Sequence, residues 1–304
     1  MAIMIILTIF LLLVSNTTCH PLSSAGAKGN DDKLMNGKVT LDDIFISVKT
    51  SSKFHKSRLP AILDTWVSVA SNSTWIFTDA QIEDQLIPIS SEQFVQTDCP
   101  SDHSREALCC KMQAELSTFL RSDRTWFCHV DDDNYLNIPS LVKLLSMYSG
   151  SEEELYIGKA SIASPLEIAE LNTSFLFATG GAGFCLSKSV VKRMDQLEYL
   201  QEFVDIGSSI GLPDDVTVGY LVDGLLGVPL TQEKSLHSHL ESLKDIQKES
   251  LKDQITLSYS LTEDSEDNVV GLEDLNLNLD PTTFYRIHCL LYPDQAKNCH
   301  WFRS

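Results

Sequence analysis

The stretch WFCHVDDDNYLN, residues 126–137, places three consecutive aspartates directly after a run of mostly apolar residues. The run is typical of a buried strand, so Asp131, Asp132 and Asp133 fall where that strand ends. Adjacent carboxylates repel one another and are costly to desolvate unless a cation or a proton lies among them. The stretch therefore predicts either a cation site at a strand end or a solvated acidic turn, because Asp and Asn also favour turns.

Strands and helices alternate on both sides of this stretch. Runs rich in β-branched and aromatic residues predict strands in segments 42–51, 74–80, 125–130, 155–160 and 175–187. Gly180, Gly181 and Gly183 are predicted to break the last of these. Apolar residues at helical spacing predict helices in segments 54–70, 105–122, 138–148 and 214–227. This order indicates an α/β domain with a largely parallel sheet. Ligands of such domains bind beyond the carboxyl ends of the strands, which is where the three aspartates are expected to lie.

Composition narrows the class of protein. The chain has 304 residues, 43% of them hydrophobic, and a formal net charge of −19. A hydrophobic content at this level is typical of a globular protein rather than a disordered one. The negative charge argues against a nucleic-acid partner, which requires a basic surface. Residues 241–280 are acidic and weakly patterned, so we expect part of this segment to be irregular and exposed.

The first 19 residues are predicted to be a targeting segment. Residues 2–14 are almost wholly apolar and uncharged, and this run is shorter than the roughly 17–25 residues of a transmembrane helix. It suits the core of a signal peptide, although the basic residues that usually precede such a core are missing. Extended through Cys19, the same segment can instead serve as a signal anchor. Residues 20–38 are polar and predict a stem, which leaves residues 39–304 as the folded domain.

The cysteines and two sequons indicate an oxidising, luminal compartment. Of the eight cysteines, Cys19 lies in or beside the targeting segment, and an odd number remains, so at least one thiol is left unpaired. The spacing does not determine which cysteines pair, and it matches no CxxC zinc pattern. The two sequons begin at Asn72 and Asn172, and both asparagines are candidate glycosylation sites.

A strand followed by Asp-x-Asp indicates a site for a hard cation such as Mg²⁺ or Mn²⁺, which prefers oxygen ligands. Mn²⁺ also accepts imidazole, and the stretch SLHSHL, residues 235–240, places His237 and His239 two residues apart. On a strand, two residues at this spacing face the same side. An ordinary surface or core position is the alternative for either histidine. A nucleotide diphosphate would supply further oxygen ligands, as is usual for such cations.

Nine stretches, in order from about residue 44 to residue 299, carry a resemblance to a known family. They are KTSSKFHKSRL, WIFTDA, HSREAL, WFCHVDDDNY, FATGGAGFCLS, LPDDVTVGYLVDGLLG, HSHLE, QITLSYS and HCLLYPD. The chain resembles the Fringe family, the Golgi β-1,3-N-acetylglucosaminyltransferases that extend O-linked fucose on Notch. Asp-x-Asp alone is common, but the combination of all nine stretches is highly specific. The radical and lunatic types of the family both fit.

The resemblance implies a GT-A glycosyltransferase fold, which is α/β with a mixed, largely parallel central sheet. It implies an inverting enzyme that moves GlcNAc from UDP-GlcNAc to the 3-hydroxyl of O-linked fucose, with Mn²⁺ or another divalent cation as cofactor. The acceptors would be EGF repeats of Notch receptors or their ligands. The catalytic domain, residues 39–304, would lie in the Golgi lumen on a single-pass type II anchor, or be cleaved and secreted.

The resemblance also assigns individual residues. Asp133 matches the metal-binding acid of the family motif and Asp132 a position that contacts the donor. His239 matches the second metal ligand, and Arg58 matches an arginine that contacts UDP. Asp215 matches the catalytic base. The resemblance further implies three disulfides that leave Cys109 as the unpaired thiol: Cys99–Cys110, Cys128–Cys185 and Cys289–Cys299.

Other interpretations of these residues and of the whole chain stay open. Asp214 and Asp215 follow Pro213 at a predicted helix start, where acids cap a helix and complement its dipole. The resemblance assigns Asp215 to catalysis, which leaves Asp214 as the cap and Asp131 as a supporting acid. An exposed helix position is the alternative for Arg58. Two alternative functions remain: a related luminal β-1,3-glycosyltransferase such as a galactosyltransferase, and a secreted module that keeps the fold without catalysis.

Overall fold

The computed structural model describes residues 39–81, 89–148, 153–261, 267–272, 280–294 and 299. These residues all belong to one compact unit, Lys38–Ser304. The targeting segment and the stem predicted for residues 1–38 lie outside the described residues. None of the described helices is long and apolar enough to cross a membrane.

Twelve strands and eight α-helices make up the described part of the chain. The strands are β1 (Ile44–Lys49), β2 (Thr74–Thr78), β3 (Phe94–Gln96), β4 (Trp126–Asp131), β5 (Asn134–Leu136), β6 (Tyr156–Gly158), β7 (Leu166–Ile168), β8 (Thr173–Phe175), β9 (Phe184–Ser187), β10 (Leu230–Gln232), β11 (Leu236–His237) and β12 (Thr256–Ser258). The helices are α1 (Leu59–Asp64), α2 (Trp66–Ala70), α3 (Arg105–Arg121), α4 (Ile138–Leu145), α5 (Lys188–Gln196), α6 (Phe203–Ile210), α7 (Asp214–Gly219) and α8 (Phe284–Leu291).

A seven-stranded sheet with the order β10-β6-β9-β4-β1-β2-β3 lies at the centre of the fold. Neighbouring strands are parallel except where β9 lies between β6 and β4, and there both pairings are antiparallel. The prediction of an α/β fold with a mixed, largely parallel sheet is therefore confirmed. Because β1 and β4 are parallel, their carboxyl ends share one edge, and Lys49 lies opposite Asp131 in the register.

A second sheet of three strands, β11-β12-β5, continues from that edge. Strand β5 follows the aspartate turn directly, and β12 is antiparallel to it, so that Ser258 lies opposite Asn134. The amide of Tyr259 also donates to the carbonyl oxygen of Asp133 at 3.1 Å. This pairing places the end of β12 beside the aspartates.

The central sheet is buried on both faces. In β1, Ile44, Ile46 and Val48 belong to one hydrophobic cluster, which includes α1 and α2. Phe45 points to the opposite face and packs against Phe119 of α3, with ring centroids 5.7 Å apart. Side chains alternate between the faces of a strand, and a strand covered on both faces is largely apolar, as four of the six residues of β1 are.

Two of the predicted segments are divided in the structure. The helix predicted for residues 54–70 begins only at Leu59 and is interrupted at Thr65, whose hydroxyl donates to the carbonyl oxygen of Ala61. The break predicted at Gly180, Gly181 and Gly183 within the strand segment 175–187 is confirmed, and the gap between the two strands is wider, from residue 176 to residue 183. There a turn separates β8 from β9, because Gly183 has φ +77° and a β-carbon at this position would lie 2.8 Å from a carbonyl oxygen of β4.

The described part of the acidic segment 241–280 contains both ordered and irregular structure. It contains β12, whose three residues are all buried. Strand β12 is too short to show a pattern in the sequence, and it is held by pairing with β5 and β11 on either side. The expectation of a partly irregular, exposed segment is confirmed for residues 244–249, which form short turns and are mostly exposed, while β12 is an ordered part of the segment.

The structure contains the three disulfides that the resemblance implies, Cys99–Cys110, Cys128–Cys185 and Cys289–Cys299. Cys128 on β4 and Cys185 on β9 are direct partners in the strand register. Their bridge therefore fastens β9 to the strand that ends in the aspartates. Among the described residues the free cysteine is Cys109, which is buried.

Candidate active site

A cavity of about 740 Å³ opens at the carboxyl ends of β1 and β4. Every residue that the sequence assigned to metal, donor or proton transfer lines it: Arg58, Asp132, Asp133, Asp215 and His239. These residues come from the loop before α1, the turn after β4, the start of α7 and the loop after β11. Folding thus brings together side chains that are far apart in the sequence.

Arg58 binds both of the later aspartates. Its Nη1 atom lies 2.7 Å from Oδ1 of Asp132 and 3.0 Å from Oδ2 of Asp133. The hydroxyl of Thr50 donates to the other oxygen of Asp132 at 2.6 Å, and the hydroxyl of Ser258 donates to the other oxygen of Asp133 at 3.0 Å. All four carboxylate oxygens therefore accept hydrogen bonds, and the solvated acidic turn is excluded for these two residues.

The position of Arg58 follows from its local sequence. It directly precedes α1, in which Pro60 occupies the first turn, a position that tolerates the missing amide. Its guanidinium carbon lies 3.8 Å from the centroid of the Phe54 ring, so a cation–π contact orients the side chain toward the cavity. Arg58 therefore does not occupy the exposed helix position that was its alternative interpretation from the sequence.

The two histidines of SLHSHL have different surroundings. Strand β11 ends at His237, so the rule that residues two apart face the same side does not extend to His239. Nδ1 of His239 lies 3.3 Å from the hydroxyl of Ser258, which also contacts Asp133. Nε2 of His237 instead lies 2.8 Å from Oε1 of Gln254, and His237 does not line the cavity. Of the two candidate histidines, the structure thus places at the cavity the one that the family resemblance assigns, His239.

The surroundings of the Asp133 carboxyl group disfavour its charged form. Burial, together with the neighbouring Asp131 carboxylate, raises its pKa to about 7. Burial also raises the pKa of Asp132, even though Arg58 opposes the shift. A cation bound among these groups would favour their charged forms and reverse the direction of both shifts.

The donor atoms present fit a divalent cation. Asp133 offers carboxylate oxygens and His239 an imidazole nitrogen on either side of one serine hydroxyl, a set that suits Mn²⁺. Within the described residues, no three His, Cys, Asp or Glu side chains form a complete metal site. Asp133 and His239 would therefore hold the cation together with ligands from outside the protein, such as phosphate oxygens.

Asp214 is an ion-pair partner rather than a helix cap. The residue at the N-cap position of α7 is Pro213, and no side chain caps this helix. Oδ2 of Asp214 lies 2.6 Å from Nζ of Lys49, and the two side chains are only 5% and 10% exposed, respectively. The prediction that Asp214 caps the helix was therefore wrong, because a buried ammonium group at the end of β1 attracts this carboxylate.

Asp215 is held by backbone amides at the wall of the cavity. Its Oδ2 accepts a hydrogen bond from the amide of Gly180 at 3.0 Å, and its Oδ1 accepts one from the amide of Val216 at 2.8 Å. Burial and the charge of the adjacent Asp214 raise the pKa of Asp215 to about 6. A carboxylate with a pKa near neutrality is suited to accept a proton from a substrate hydroxyl.

A buried charge network that sequence reasoning missed lies behind the aspartate turn. Nζ of Lys49 lies 3.3 Å from Oδ1 of Asp131, and Nε2 of His129 lies 3.5 Å from the same oxygen. Burial alone would raise the pKa of Asp131, but Lys49 and His129 outweigh it and lower the pKa well below its usual range. Asp131 thus supports the site through its neighbours, as predicted. Its partners Lys49 and His129 were not predicted, because nothing in the sequence distinguishes them apart from their positions on β1 and β4.

Comparison with known proteins identifies the family. A family model described as Fringe-like matches residues 39–295. The chain belongs to the Fringe family. It is 40% identical over 287 residues to the β-1,3-N-acetylglucosaminyltransferase lunatic fringe of Xenopus laevis, covering 92% of this chain and 76% of that protein. It is 45% identical over 262 residues to the Fringe glycosyltransferase of Drosophila melanogaster, covering 83% of this chain and 63% of that protein.

The radical type is matched equally well. The radical fringe of Gallus gallus is 44% identical over 263 residues, covering 84% of this chain and 70% of that protein. Identity therefore does not separate the lunatic and radical types for this Fringe-family chain. Among solved structures, a glycosyltransferase involved in glycosylation of the major capsid of PBCV-1 aligns with 73% of this chain and 94% of its own, at 11% identity and a TM-score of 0.39.

The two sequon asparagines are both accessible. Asn72 lies in the turn before β2, and Asn172 lies between β7 and β8 with a left-handed backbone, φ 47°. Both side chains are exposed. Glycosylation at Asn72 and Asn172 stays a prediction.

Proposed function

We propose that this Fringe-family protein is an inverting O-fucosylpeptide 3-β-N-acetylglucosaminyltransferase. It moves GlcNAc from UDP-GlcNAc to the 3-hydroxyl of O-linked fucose on EGF repeats of Notch receptors or their ligands, and so modulates Notch signalling. The α/β domain is of the GT-A type. The names of the relatives support this activity, since they describe β-1,3-N-acetylglucosaminyltransferases.

The observation that carries the proposal is that two groups of acids face one cavity. Asp132 and Asp133, with Arg58, lie on one side, and Asp215 lies at the start of α7. A cavity of about 740 Å³ is within the range of roughly 300–1,000 Å³ that small-molecule ligands occupy. The site therefore has room for a nucleotide sugar between a cation-binding side and a base.

Asp215 is the proposed base. As the bond to the anomeric carbon forms, the acceptor hydroxyl loses its proton to a carboxylate within hydrogen-bond reach, a contribution of about 10²–10⁴-fold. The amides of Gly180 and Val216 orient that carboxylate. A single displacement inverts an α-linked donor to a β-linked product, and no covalent enzyme intermediate is required.

The other side of the cavity binds the donor. Arg58 and Asp132 are proposed to contact UDP-GlcNAc, and the guanidinium supplies a charge-assisted contact to the nucleotide. Asp133 and His239 would hold Mn²⁺ or another divalent cation. When bound, such a cation stabilises the negative charge that develops on the departing diphosphate.

A transfer assay tests this function. The substrates are UDP-GlcNAc and an O-fucosylated EGF repeat, with and without Mn²⁺, and UDP-galactose serves as the competing donor. We expect Mn²⁺-dependent formation of a β1,3-linked GlcNAc product, and no such product from an Asp133→Ala variant that folds normally. Preferred transfer of galactose would instead identify a β-1,3-galactosyltransferase, and absence of transfer from either donor would indicate a non-catalytic secreted module.

Family membership and the three disulfides are consistent with an enzyme of the secretory pathway. We propose the finer assignment of a luminal catalytic domain on a type II anchor in the Golgi membrane. Microscopy of the tagged full chain, with protease protection of the domain, tests it. Recovery of the whole population from the medium would show that the chain is cleaved and secreted.

A further inference from the structure

Lys49 joins two parts of the site through its ammonium group. Nζ lies 2.6 Å from Oδ2 of Asp214 at the start of α7 and 3.3 Å from Oδ1 of Asp131 at the end of β4. Its side chain is only 10% exposed, so water screens these interactions little. Burial would lower the pKa of Lys49, but the two carboxylates outweigh it and raise the pKa, which keeps the amine charged.

Further buried charges alternate in sign behind Lys49. Nδ1 of His129 lies 2.7 Å from Oε2 of Glu115, and its Nε2 lies 3.5 Å from Asp131. Burial would lower the pKa of His129, but Glu115 outweighs it and raises the pKa to about 9. The sequence of charges from α3 to α7 is therefore negative, positive, negative, positive and negative. The two positively charged side chains of this series, His129 and Lys49, each lie between two carboxylates. Their ion pairs therefore restrain the carboxylates on both sides.

Asp215 is the next acid after the last member of this series. Asp214 precedes it in α7, so the two carboxylates repel each other, and Lys49 opposes that repulsion. Without the ammonium group, the negative charge of Asp214 would act on Asp215 without a counter-charge. Lys49 thus influences Asp215 without touching it.

The other groups around Asp215 do not supply this counter-charge. Burial raises the pKa of Tyr156 on β6 and raises the pKa of Cys109 on α3 to about 11, so both are neutral. Lys111 on α3 is ion-paired with a different buried carboxylate. Asp205 on α6 is exposed to solvent, which screens its charge.

We propose that Lys49 is a positioning residue for the transfer reaction: by pairing with Asp214 it offsets the negative charge beside Asp215 and keeps Asp215 an ionised proton acceptor. This inference rests on the proposed role of Asp215 as the base. It assigns a role in the reaction to Lys49, at the end of β1. Lys49 is not among the residues proposed to contact the metal, the donor or the acceptor.

The test is the pH dependence of kcat for Lys49→Met, a neutral side chain of similar length. Between about pH 5 and about pH 9 the acid limb of the profile should move upward by about one pH unit, which is roughly a tenfold loss of kcat at the acidic end and little loss at the alkaline end. Lys49→Arg keeps the charge and should keep the limb in place. Lys53→Met is the matched control, because Lys53 lines the same cavity but its ammonium group lies over the Phe54 ring, 5.2 Å from the ring centroid.

Asp214→Asn supplies a second test that removes no cation. It deletes the charge that raises the pKa of Asp215, so its acid limb should move downward. In the double variant Lys49→Met with Asp214→Asn, both charges of the pair are absent, and the limb should return toward that of the wild type. The double variant also lowers the risk that Lys49→Met fails to fold, because Asp214 is then neutral and Asp131 still has His129 within 3.5 Å.

Three outcomes overturn the inference: an unmoved acid limb in Lys49→Met, an unmoved limb in Asp214→Asn, or a double variant whose limb equals that of a folded Lys49→Met. These outcomes are distinguishable from failure of the proposed function. That failure shows separately, as an Asp215→Asn variant that retains its turnover. UDP binding in the presence of Mn²⁺, measured for every variant, identifies any change that acts through the donor instead.

Discussion

At the residue scale, His239 and His237 form a natural matched pair for testing the proposed cation site. They are two positions apart, but only His239 lines the cavity and contacts the serine hydroxyl beside Asp133. We expect His239→Ala to shift the Mn²⁺ titration of turnover to higher concentration, because one of the two protein ligands is lost. Direct titration of Mn²⁺ binding with UDP present gives a readout independent of turnover.

His237→Ala is the control for that experiment. It removes a hydrogen bond to Gln254, outside the cavity, so its Mn²⁺ titration should match that of the wild type. Equal Mn²⁺ titrations for the wild type, His237→Ala and His239→Ala would show that His239 is an ordinary histidine and not a ligand of the cation. A thermal unfolding curve for each variant separates loss of binding from loss of fold.

Asp215 carries the residue-scale prediction on catalysis. Asp215→Asn preserves the size of the side chain but cannot take a proton, so kcat should fall by about 10²-fold or more while UDP affinity persists. In the wild type, a pKa of about 6 means that the base is increasingly protonated as the pH falls through that value, and the rate should fall with it. The check is kcat against pH beside UDP binding. Near-normal turnover in Asp215→Asn would place the base elsewhere.

At the element scale, the turn between β8 and β9 brings the backbone at Gly183 close to β4. Gly183 has φ +77°, and a β-carbon there would lie 2.8 Å from the carbonyl oxygen of His129. Gly183→Ala should therefore lower the free energy of unfolding by more than the 1–2 kcal/mol, roughly, that a left-handed backbone costs a non-glycine residue. Denaturant unfolding measures the difference.

Gly227 is the matched control for this substitution. It also has a positive φ, +69°, but a β-carbon there would meet nothing within 4 Å. Gly227→Ala should therefore show the backbone cost alone. Equal losses for the two variants would mean that the close approach to β4 contributes nothing.

The bridge between β4 and β9 is a second element-scale feature with a measurable effect. Cys128–Cys185 closes a loop with a sequence separation of 57, for which chain-entropy reasoning gives roughly 4 kcal/mol of stabilisation. Replacing both cysteines with serine should lower the free energy of unfolding by an amount of that order. Non-reducing peptide mapping of the wild type should show this bridge and a free thiol at Cys109. A bridged Cys109 with a free Cys110 would contradict the assignment.

At the scale of the whole molecule, the sequence predicted the order of the main elements but not all the contacts between them. Strands β1, β2 and β4 and helices α3 and α4 were predictable because their apolar patterns are long. Helix α6 was missed: its eight residues contain a central glycine, and glycine lowers helix propensity. Strands of three residues, such as β12, are too short to show any period.

The candidate site, too, was predictable from the sequence only in part. The residues that the family resemblance assigns line the cavity, because the carboxyl ends of parallel strands meet at one edge. The groups that hold them were not predictable. Ser258 reaches Asp133 across 125 positions, and Lys49 reaches Asp214 across 165. Such contacts depend on which strand lies beside which, and local patterns contain no information on that order.

The position of β9 between two earlier strands has a consequence for the order of events during synthesis. Cys128 emerges from the ribosome 57 residues before its partner, which at about 5–20 residues per second corresponds to roughly 3–11 seconds. During that interval Cys99, Cys109 and Cys110 have already emerged and can react with Cys128. We expect transient mispaired species involving these thiols, detectable by trapping with an alkylating agent at early times. The bond between β4 and β9 then forms only after thiol–disulfide exchange has removed the mispaired bonds. The rate at which active protein accumulates should therefore rise with the supply of a disulfide isomerase.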